Sequence, residues 1–206
     1  MKDKNKYQYQ IFLLAILIAM FVAGCKTGGL FQMNEDVNKP LIPATIKGVT
    51  STLNISLPFE MTDTGKDEPI PADVKEYVTK AQRFSGHNKD MVVTIVSVNY
   101  KKELLDTANA NDLKEVLKVA ADEDVQNMKQ HKGIQNLQYK IEEGSADGNP
   151  ALLVNITYKN GKNNMKGKCI YTMKSCEAWC IICEYMDSDN VMEERAKEVI
   201  NSIKLN

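Results

Sequence analysis

The sequence predicts an α+β domain in which a central antiparallel sheet is flanked by helices. Short segments that alternate apolar and polar residues indicate several strands, and one run at residues 91–100 is dense in β-branched side chains. Two other segments repeat apolar residues every three or four positions, which is typical of amphipathic helices. Most strands follow one another through short polar turns, so we expect antiparallel pairing, with the helices covering the sheet.

The first half of this predicted domain consists mainly of strands. Residues 53–61 alternate apolar and polar side chains and predict a half-buried strand that ends at Pro58. Residues 71–78 favour a helical turn, and residues 78–85 favour a second strand. The run at residues 91–100 (MVVTIVSVNY) is the clearest strand signal in the chain, so we expect it to lie centrally in the sheet.

A long amphipathic helix is predicted over residues 111–131. Its apolar face is formed by Leu113, Val116, Leu117, Ala120, Ala121, Val125 and Met128. Asn111 or Asp112 is placed to cap the start of this helix, and Gly133 is placed to stop it. The acidic run at residues 122–124 is expected on the polar face of the helix, in contact with solvent.

The second half of the domain predicts two hairpins and a closing helix. Residues 137–143 and 152–159 alternate apolar and polar side chains on either side of a turn, so they should pair. Residues 165–174 and 179–186 predict a second hairpin. The last helix begins near Asn190 in a sequence like a capping box. It is expected to bury Met192, Ala196, Val199, Ile200 and Ile203.

The amino terminus has the layout of a secretory signal. Lys2, Lys4 and Lys6 precede an uncharged run at residues 11–23. A helix over this run would rise only about 20 Å, which is short of the roughly 30 Å hydrocarbon core of a bilayer. Export followed by cleavage therefore fits better than a stable membrane span, although an uncleaved anchor helix is the alternative.

Val22, Ala23, Gly24 and Cys25 resemble the lipobox of bacterial lipoproteins. This resemblance implies that Cys25 becomes the first residue after cleavage and carries a thioether-linked lipid. Two acyl chains would contribute on the order of 20 kcal/mol of gross anchoring energy, which makes the attachment effectively permanent. The remainder of the chain would then lie outside the cytoplasm, on the cell membrane or the outer membrane.

Three regions follow from these patterns. Residues 1–24 are predicted to be a lipoprotein signal peptide. Residues 25–50 are predicted to be the lipidated cysteine and a flexible tether, because this stretch has no sustained period and is rich in glycine and proline. Residues 51–206 are predicted to be a single α+β domain, since the sequence contains no internal repeat or second hydrophobic block.

The order of elements resembles a family that groups PsbP-like with Mog1-like proteins. The resemblance covers about residues 50–206 and lies in an early strand with the sequence ISLP, the strand MVVTIVSVNY before a long helix, successive hairpins, and a closing VINSIKL. It implies an α/β/α sandwich. It also implies a protein that binds and supports other macromolecules, and it carries no catalytic signature.

A cluster of cysteines is the one local group of residues that could carry chemistry. It comprises Cys169, Cys176, Cys180 and Cys183. A zinc site needs thiolates that converge on one ion, but Cys180 and Cys183 are an odd number of residues apart on a predicted strand and should point to opposite faces. A redox pair would need its thiols at a helix start, whereas these lie in an apolar strand.

A disulfide between Cys169 and Cys183 is the third interpretation of this cluster. If a three-residue loop at residues 175–177 closes the hairpin, Lys174 faces Ala178 and the two sulfurs face each other across the strands. A one-residue slip in the turn would place them on opposite faces, where they would be small buried hydrophobic side chains.

Composition and motifs narrow the function. The 26 basic and 27 acidic side chains leave a formal net charge of −1, so the basic surface that nucleic acids require is not expected. The sequence has no GxSxG, HExxH, Walker or GxGxxG motif, and His87 and His131 are expected in solvent. We therefore expect a lipoprotein, without enzymatic activity or cofactor, that binds an envelope protein or another envelope component. The alternative is a lipoprotein that binds a small ligand or metal through the cysteine hairpin.

Overall fold

The computed structural model describes residues 39–70, 72, 74–105 and 109–206, and within them the chain forms two antiparallel sheets and two α-helices. The strands are β1 (Ile42–Lys47), β2 (Thr52–Leu57), β3 (Asp63–Asp67), β4 (Val78–His87), β5 (Met91–Tyr100), β6 (Ile134–Ala146), β7 (Asn149–Asn160), β8 (Asn163–Lys174), β9 (Glu177–Met186) and β10 (Lys204–Leu205). The helices are α1 (Ala110–Gln130) and α2 (Asn190–Asn201), and a 3₁₀ turn spans Lys102–Leu104.

The larger sheet has the strand order β3-β4-β5-β9-β8-β7-β6. Strands β6 to β9 form a continuous meander through tight turns, and β9 then pairs with β5. The smaller sheet has the order β1-β2-β10. The predicted strand at residues 91–100 is thus confirmed as β5, an interior strand of the larger sheet.

The two faces of the larger sheet bury separate hydrophobic cores. Strand alternation sends Cys180 and Ile182 of β9 toward α1, and Trp179 and Ile181 of the same strand toward α2 and the smaller sheet. The predicted antiparallel sheet with a helix on each face is therefore confirmed. The smaller sheet is an addition that the sequence did not indicate.

The observed caps precede the predicted ones, by two or three residues in α1 and by one residue in α2. Asn109 caps α1: its side chain accepts from the backbone N–H groups of Asn111 and Asp112, and the Asp112 carboxylate accepts from the Asn109 N–H. Asp112 is thus the third residue of a capping box and not the cap itself. The Asp189 side chain caps α2 by accepting from the backbone N–H groups of Val191 and Met192, one residue before the predicted Asn190.

The tether predicted over residues 25–50 is too long at its carboxyl end. Residues 25–38 lie outside the described residues. Ile42–Lys47, however, forms strand β1, whose first residue, Ile42, pairs with Leu57 of β2. The periodicity is weak because β1 is an edge strand in which only Ile46 is buried. Pro43 is accommodated there because an edge strand leaves backbone N–H groups unpaired.

A buried glutamate joins the smaller sheet to the larger one. The Glu177 side chain accepts hydrogen bonds from the backbone N–H groups of Val49, Thr50 and Ser51, at 2.9, 3.1 and 2.8 Å. The hydroxyl groups of Ser51 and Ser97 also donate to it. This carboxylate therefore fixes the loop between β1 and β2 against the start of β9.

Candidate functional site

A small cavity lies between the second half of α1 and strands β7, β8 and β9. Its volume is about 60 Å³. The apolar part of its wall is formed by Val125, Met128, Ile134, Val154, Ile156 and Ile182. A water molecule needs roughly 10–15 Å³ of such volume, so the cavity has room for about five non-hydrogen atoms. Small-molecule sites are typically apolar clefts that contain a few polar groups, and this cavity has that composition.

Asp124 brings a carboxyl group from α1 into this apolar wall. The residue is 3% exposed, and the Tyr171 hydroxyl donates to its Oδ2 at 2.6 Å. Its Oδ1 has no hydrogen-bond partner among the described residues. Burial raises the pKa of Asp124 to about 7, although the Tyr171 hydrogen bond acts in the opposite direction. Near neutral pH this carboxyl group therefore exists in both protonation states.

Glu184 supplies a second carboxyl group from β9. It is buried, and the Tyr158 hydroxyl of β7 donates to its Oε1 at 2.5 Å. Burial raises the pKa of Glu184 above its usual range, while the Tyr158 hydrogen bond lowers it. The cavity thus has two carboxyl groups, each held by a tyrosine on a neighbouring element.

The arrangement favours recognition of groups that donate hydrogen bonds. A carboxylate only accepts hydrogen bonds, and a protonated carboxyl group retains acceptor capacity. Of the lining side chains that the structure describes, none is a lysine or an arginine. Asn127, His131 and Asn160 complete the polar part of the lining. The prediction that His131 is in solvent fits its exposure, but this residue also borders the cavity.

The acidic run at residues 122–124 was expected on the polar face of α1, and for Asp124 that expectation is wrong. Asp124 follows Ala120 by four residues and Ala121 by three, and it precedes Met128 by four. This spacing places Asp124 on the apolar face, toward the sheet. The same spacing was a signal in the sequence that could have found the residue.

The structure does not contain the disulfide considered between Cys169 and Cys183, and the alternative one-residue shift in the turn is found instead. The turn between β8 and β9 contains two residues, not three, so Lys174 faces Glu177. Ser175 adopts the left-handed conformation, with φ of 55°, which makes this short turn feasible. As a result Cys169 faces Ile182, and the four cysteines of the described residues are thiols.

The cysteine hairpin does not gather its thiols around one point. Cys169 and Cys180 contribute to the core under α1, Cys183 contributes to the core on the other face, and Cys176 lies in the turn. Apart from the short gaps in residues 39–206, no group of three or more potential metal-ligating side chains is found. Cys25, the predicted lipidation residue, lies outside the described residues.

Alkylation should distinguish the four thiols of the hairpin. With iodoacetamide at pH 8, we expect Cys176 to react first, because it is half-buried in a turn and the other three are buried. Burial also raises the pKa of the Cys183 thiol to about 12, which keeps it protonated and unreactive. Peptide mass mapping over time measures each site. Modification of Cys183 as early as Cys176 would contradict the placement of β9.

Neither helix within the described part of the chain has an apolar stretch long enough to cross a bilayer.

Comparison with protein-family models and with curated protein sequences gave no match. Among solved structures, the chain is similar to LpqN of Mycobacterium tuberculosis, a protein described as involved in cell envelope biogenesis. The sequence identity is 9%, the match covers 81% of this chain and 91% of that chain, and the TM-score is 0.47. It is also similar to the PsbP protein of Synechocystis, with 13% identity, coverage of 75% and 86%, and a TM-score of 0.42.

A third similar structure is the extracellular domain of PknH from Mycobacterium tuberculosis, with 13% identity, coverage of 84% and 91%, and a TM-score of 0.37. The structural neighbours thus include a PsbP protein, the type of protein that the sequence order resembles. At these identities and TM-scores the likenesses assign neither a family nor an activity to this chain.

Proposed function

We propose that the chain is an envelope lipoprotein, anchored through Cys25, whose α+β domain binds a ligand in the α1 cavity and performs no catalysis. The observation that carries the binding role is the buried carboxyl group of Asp124, a residue that lines the cavity and whose Oδ1 has no hydrogen-bond partner among the described residues. Buried polar atoms are nearly always paired, so an exception at a cavity indicates a binding site.

The anchoring part of the proposal is supported by the sequence from Val22 to Cys25, which resembles a lipobox, and by the basic and apolar segments before it. It places the domain outside the cytoplasm at a membrane surface. The envelope protein partner expected from the sequence stays a prediction.

The lipid anchor predicts a specific labelling result. In cells grown with labelled palmitate, the unaltered chain should incorporate label, and Cys25→Ala should lose it entirely, because no other sulfur follows a lipobox-like sequence. Cys176→Ala is the matched control and should be labelled like the unaltered chain. Label retained by Cys25→Ala, or an intact mass that still includes residues 1–24, would contradict the anchor.

The binding role can be tested on the same protein. Native mass spectrometry of the chain extracted from membranes in mild detergent should detect a noncovalent small molecule. Asp124→Asn changes the carboxyl group at the cavity with little change in shape, so it should retain less of that molecule. Asp122→Asn, two residues away on the same helix and outside the cavity lining, is the control.

A further inference from the structure

The charges around the α1 cavity favour a cationic ligand. Asp124 and Glu184 are both acids, and neither lysine nor arginine occurs among the described side chains that line the cavity. A negatively charged ligand would therefore add like charge in a weakly polar environment, which is unfavourable. A positively charged ligand would offset the cost of burying an ionised carboxylate.

The hydrogen bonds of Asp124 indicate that the ligand carries a hydrogen-bond donor. Tyr171 already donates to Asp124 Oδ2, whereas Oδ1 has no partner among the described residues and the side chain is nearly fully buried. A carboxylate oxygen accepts hydrogen bonds, so the group that pairs with it must carry N–H or O–H. An alkyl ammonium group supplies both the donors and the charge, and a charge-assisted hydrogen bond of this kind is stronger than a neutral one.

The remaining wall restricts the body of the ligand. The side chains of Val125, Met128 and Ile156 present apolar surface, and the volume of about 60 Å³ accommodates about five non-hydrogen atoms. A short aliphatic chain matches this space. A sugar or a peptide backbone would bury polar groups against the apolar wall without partners.

From these features we infer that the α1 cavity binds a small aliphatic amine, with its ammonium group at Asp124 Oδ1 and its alkyl chain against the apolar wall. This inference rests on the proposed function, because it names the ligand class for the same cavity. Glu184, held by Tyr158, adds a second acidic group to the lining and reinforces the preference for a cation.

Three probes of equal length separate the ligand class from cavity binding itself. The intact chain, labelled with ¹³C at its methionine methyl groups, is titrated at pH 8 with n-butylammonium, n-butanol or butyrate. At this pH most Asp124 carboxyl groups are ionised, since their pKa is about 7. Met128 lines the cavity, so its methyl signal reports binding there. Met192 is buried on the other face of the sheet, so its methyl signal reports non-specific effects of the probe.

We expect butylammonium to shift the Met128 signal to saturation, with an apparent Kd at least tenfold lower than that of butanol, and without a matching change at Met192. Butyrate should not saturate the signal. Asp124→Asn should weaken butylammonium binding at least tenfold and leave butanol binding unchanged, which also shows that this variant is folded. Asp122→Asn should bind all three probes like the unaltered chain.

Each other outcome overturns the inference. If butanol or butyrate binds at Met128 as tightly as butylammonium, or if Asp124→Asn keeps its affinity for butylammonium, the ligand is not an amine recognised by this carboxylate, while binding in the cavity stands. If no probe shifts Met128, cavity binding fails and the proposed function fails with it.

Discussion

Asp124→Asn is expected to make the folded domain more stable at pH 8 and to leave its stability nearly unchanged at pH 5. The cause is the raised pKa of Asp124, about 7 in the folded chain against an ordinary value of 3.8. Between these two values the folded state holds more protons than the unfolded state, so the free energy of unfolding falls as pH rises from about 4 to about 7. Above pH 7 the whole cost of burying the charge is present.

The size of this effect follows from the difference between the two pKa values. Each pKa unit corresponds to about 1.4 kcal/mol, so the ionised carboxylate costs at most about 4 kcal/mol, and relaxation around the buried charge reduces this to roughly 2–4 kcal/mol. Asparagine carries no charge and can still accept the Tyr171 hydroxyl. Its amide group loses about 1 kcal/mol if its N–H finds no acceptor, and at pH 5 this loss roughly offsets the part of the burial cost that is already present there.

Among the buried groups near Asp124, the tyrosines do not ionise between pH 5 and pH 8, so they do not contribute to the change in stability. Burial raises the pKa values of Tyr171 and Tyr100 further above neutrality, so both stay protonated across this range. Burial also raises the pKa of Glu184, so the variant should keep a decline of its own.

Urea unfolding at pH 5 and pH 8 measures this prediction. The unaltered chain should lose stability between the two values, and Asp124→Asn should lose much less. Asp122→Asn, the control on the same helix, should behave like the unaltered chain. Equal pH dependence in Asp124→Asn and the unaltered chain would show that the Asp124 carboxyl group is not buried against the sheet.

Glu177→Gln is expected to be the most destabilising single-atom change in the described domain. The carboxylate receives three backbone N–H groups and three hydroxyl groups, and it is fully buried. A glutamine side chain accepts only on one oxygen, so its NH₂ group must face at least one backbone N–H that then has no acceptor. Hydrogen bonds to charged groups contribute roughly 1.5–3 kcal/mol each, so we expect a loss of about 3 kcal/mol.

The close packing around Glu177 leaves the loop little space to move and restore the lost hydrogen bond. A Cβ at Gly48 would overlap Glu177 Oε1, so the loop backbone packs directly on the carboxylate. Ser51 Oγ donates to the same carboxylate and accepts from the Trp179 indole N–H at 2.8 Å, which links the loop to the core. Loss of this contact should therefore loosen the smaller sheet as a unit.

Urea unfolding and amide hydrogen exchange measure this effect. Glu177→Gln should lower the urea midpoint clearly and speed exchange at Thr50 and Ser51. The control is Glu143→Gln, because the Glu143 side chain is 71% exposed and its ion pair with Lys114 lies at the surface, so its midpoint should change little. Equal midpoints for the two variants would contradict the anchoring role of Glu177.

Local sequence pattern was sufficient for most of the larger elements. Strand β5 was predicted from its dense β-branched residues, β6 and β7 from alternation, β8 and β9 as a hairpin, and both helices from apolar residues spaced by three and four; each prediction lies close to the observed element. Strand β3 (DTGKD) has no apolar residue, and β10 is only two residues long, so neither has a period to detect. Their positions depend on pairing with distant strands, which a local pattern does not contain.

The candidate site was only partly readable from the sequence. Helical spacing places Asp124 on the apolar face of α1, although the acidic run at residues 122–124 was expected in solvent. Strand alternation places Glu184 on the same face of β9 as Cys180 and Ile182. The register of the cysteine hairpin depends on the positive φ of Ser175. Serine, unlike glycine or asparagine, does not indicate a positive φ in a sequence. That one residue decided that Cys169 faces Ile182 and not Cys183.

The most direct test of the proposed binding role is the comparison by native mass spectrometry of the unaltered chain and Asp124→Asn, both extracted from membranes. The account predicts a lipid-modified chain that lacks residues 1–24 and carries a noncovalent molecule, retained by the unaltered chain and depleted in the variant. A chain without any bound molecule, or one bound equally by both forms, would contradict it.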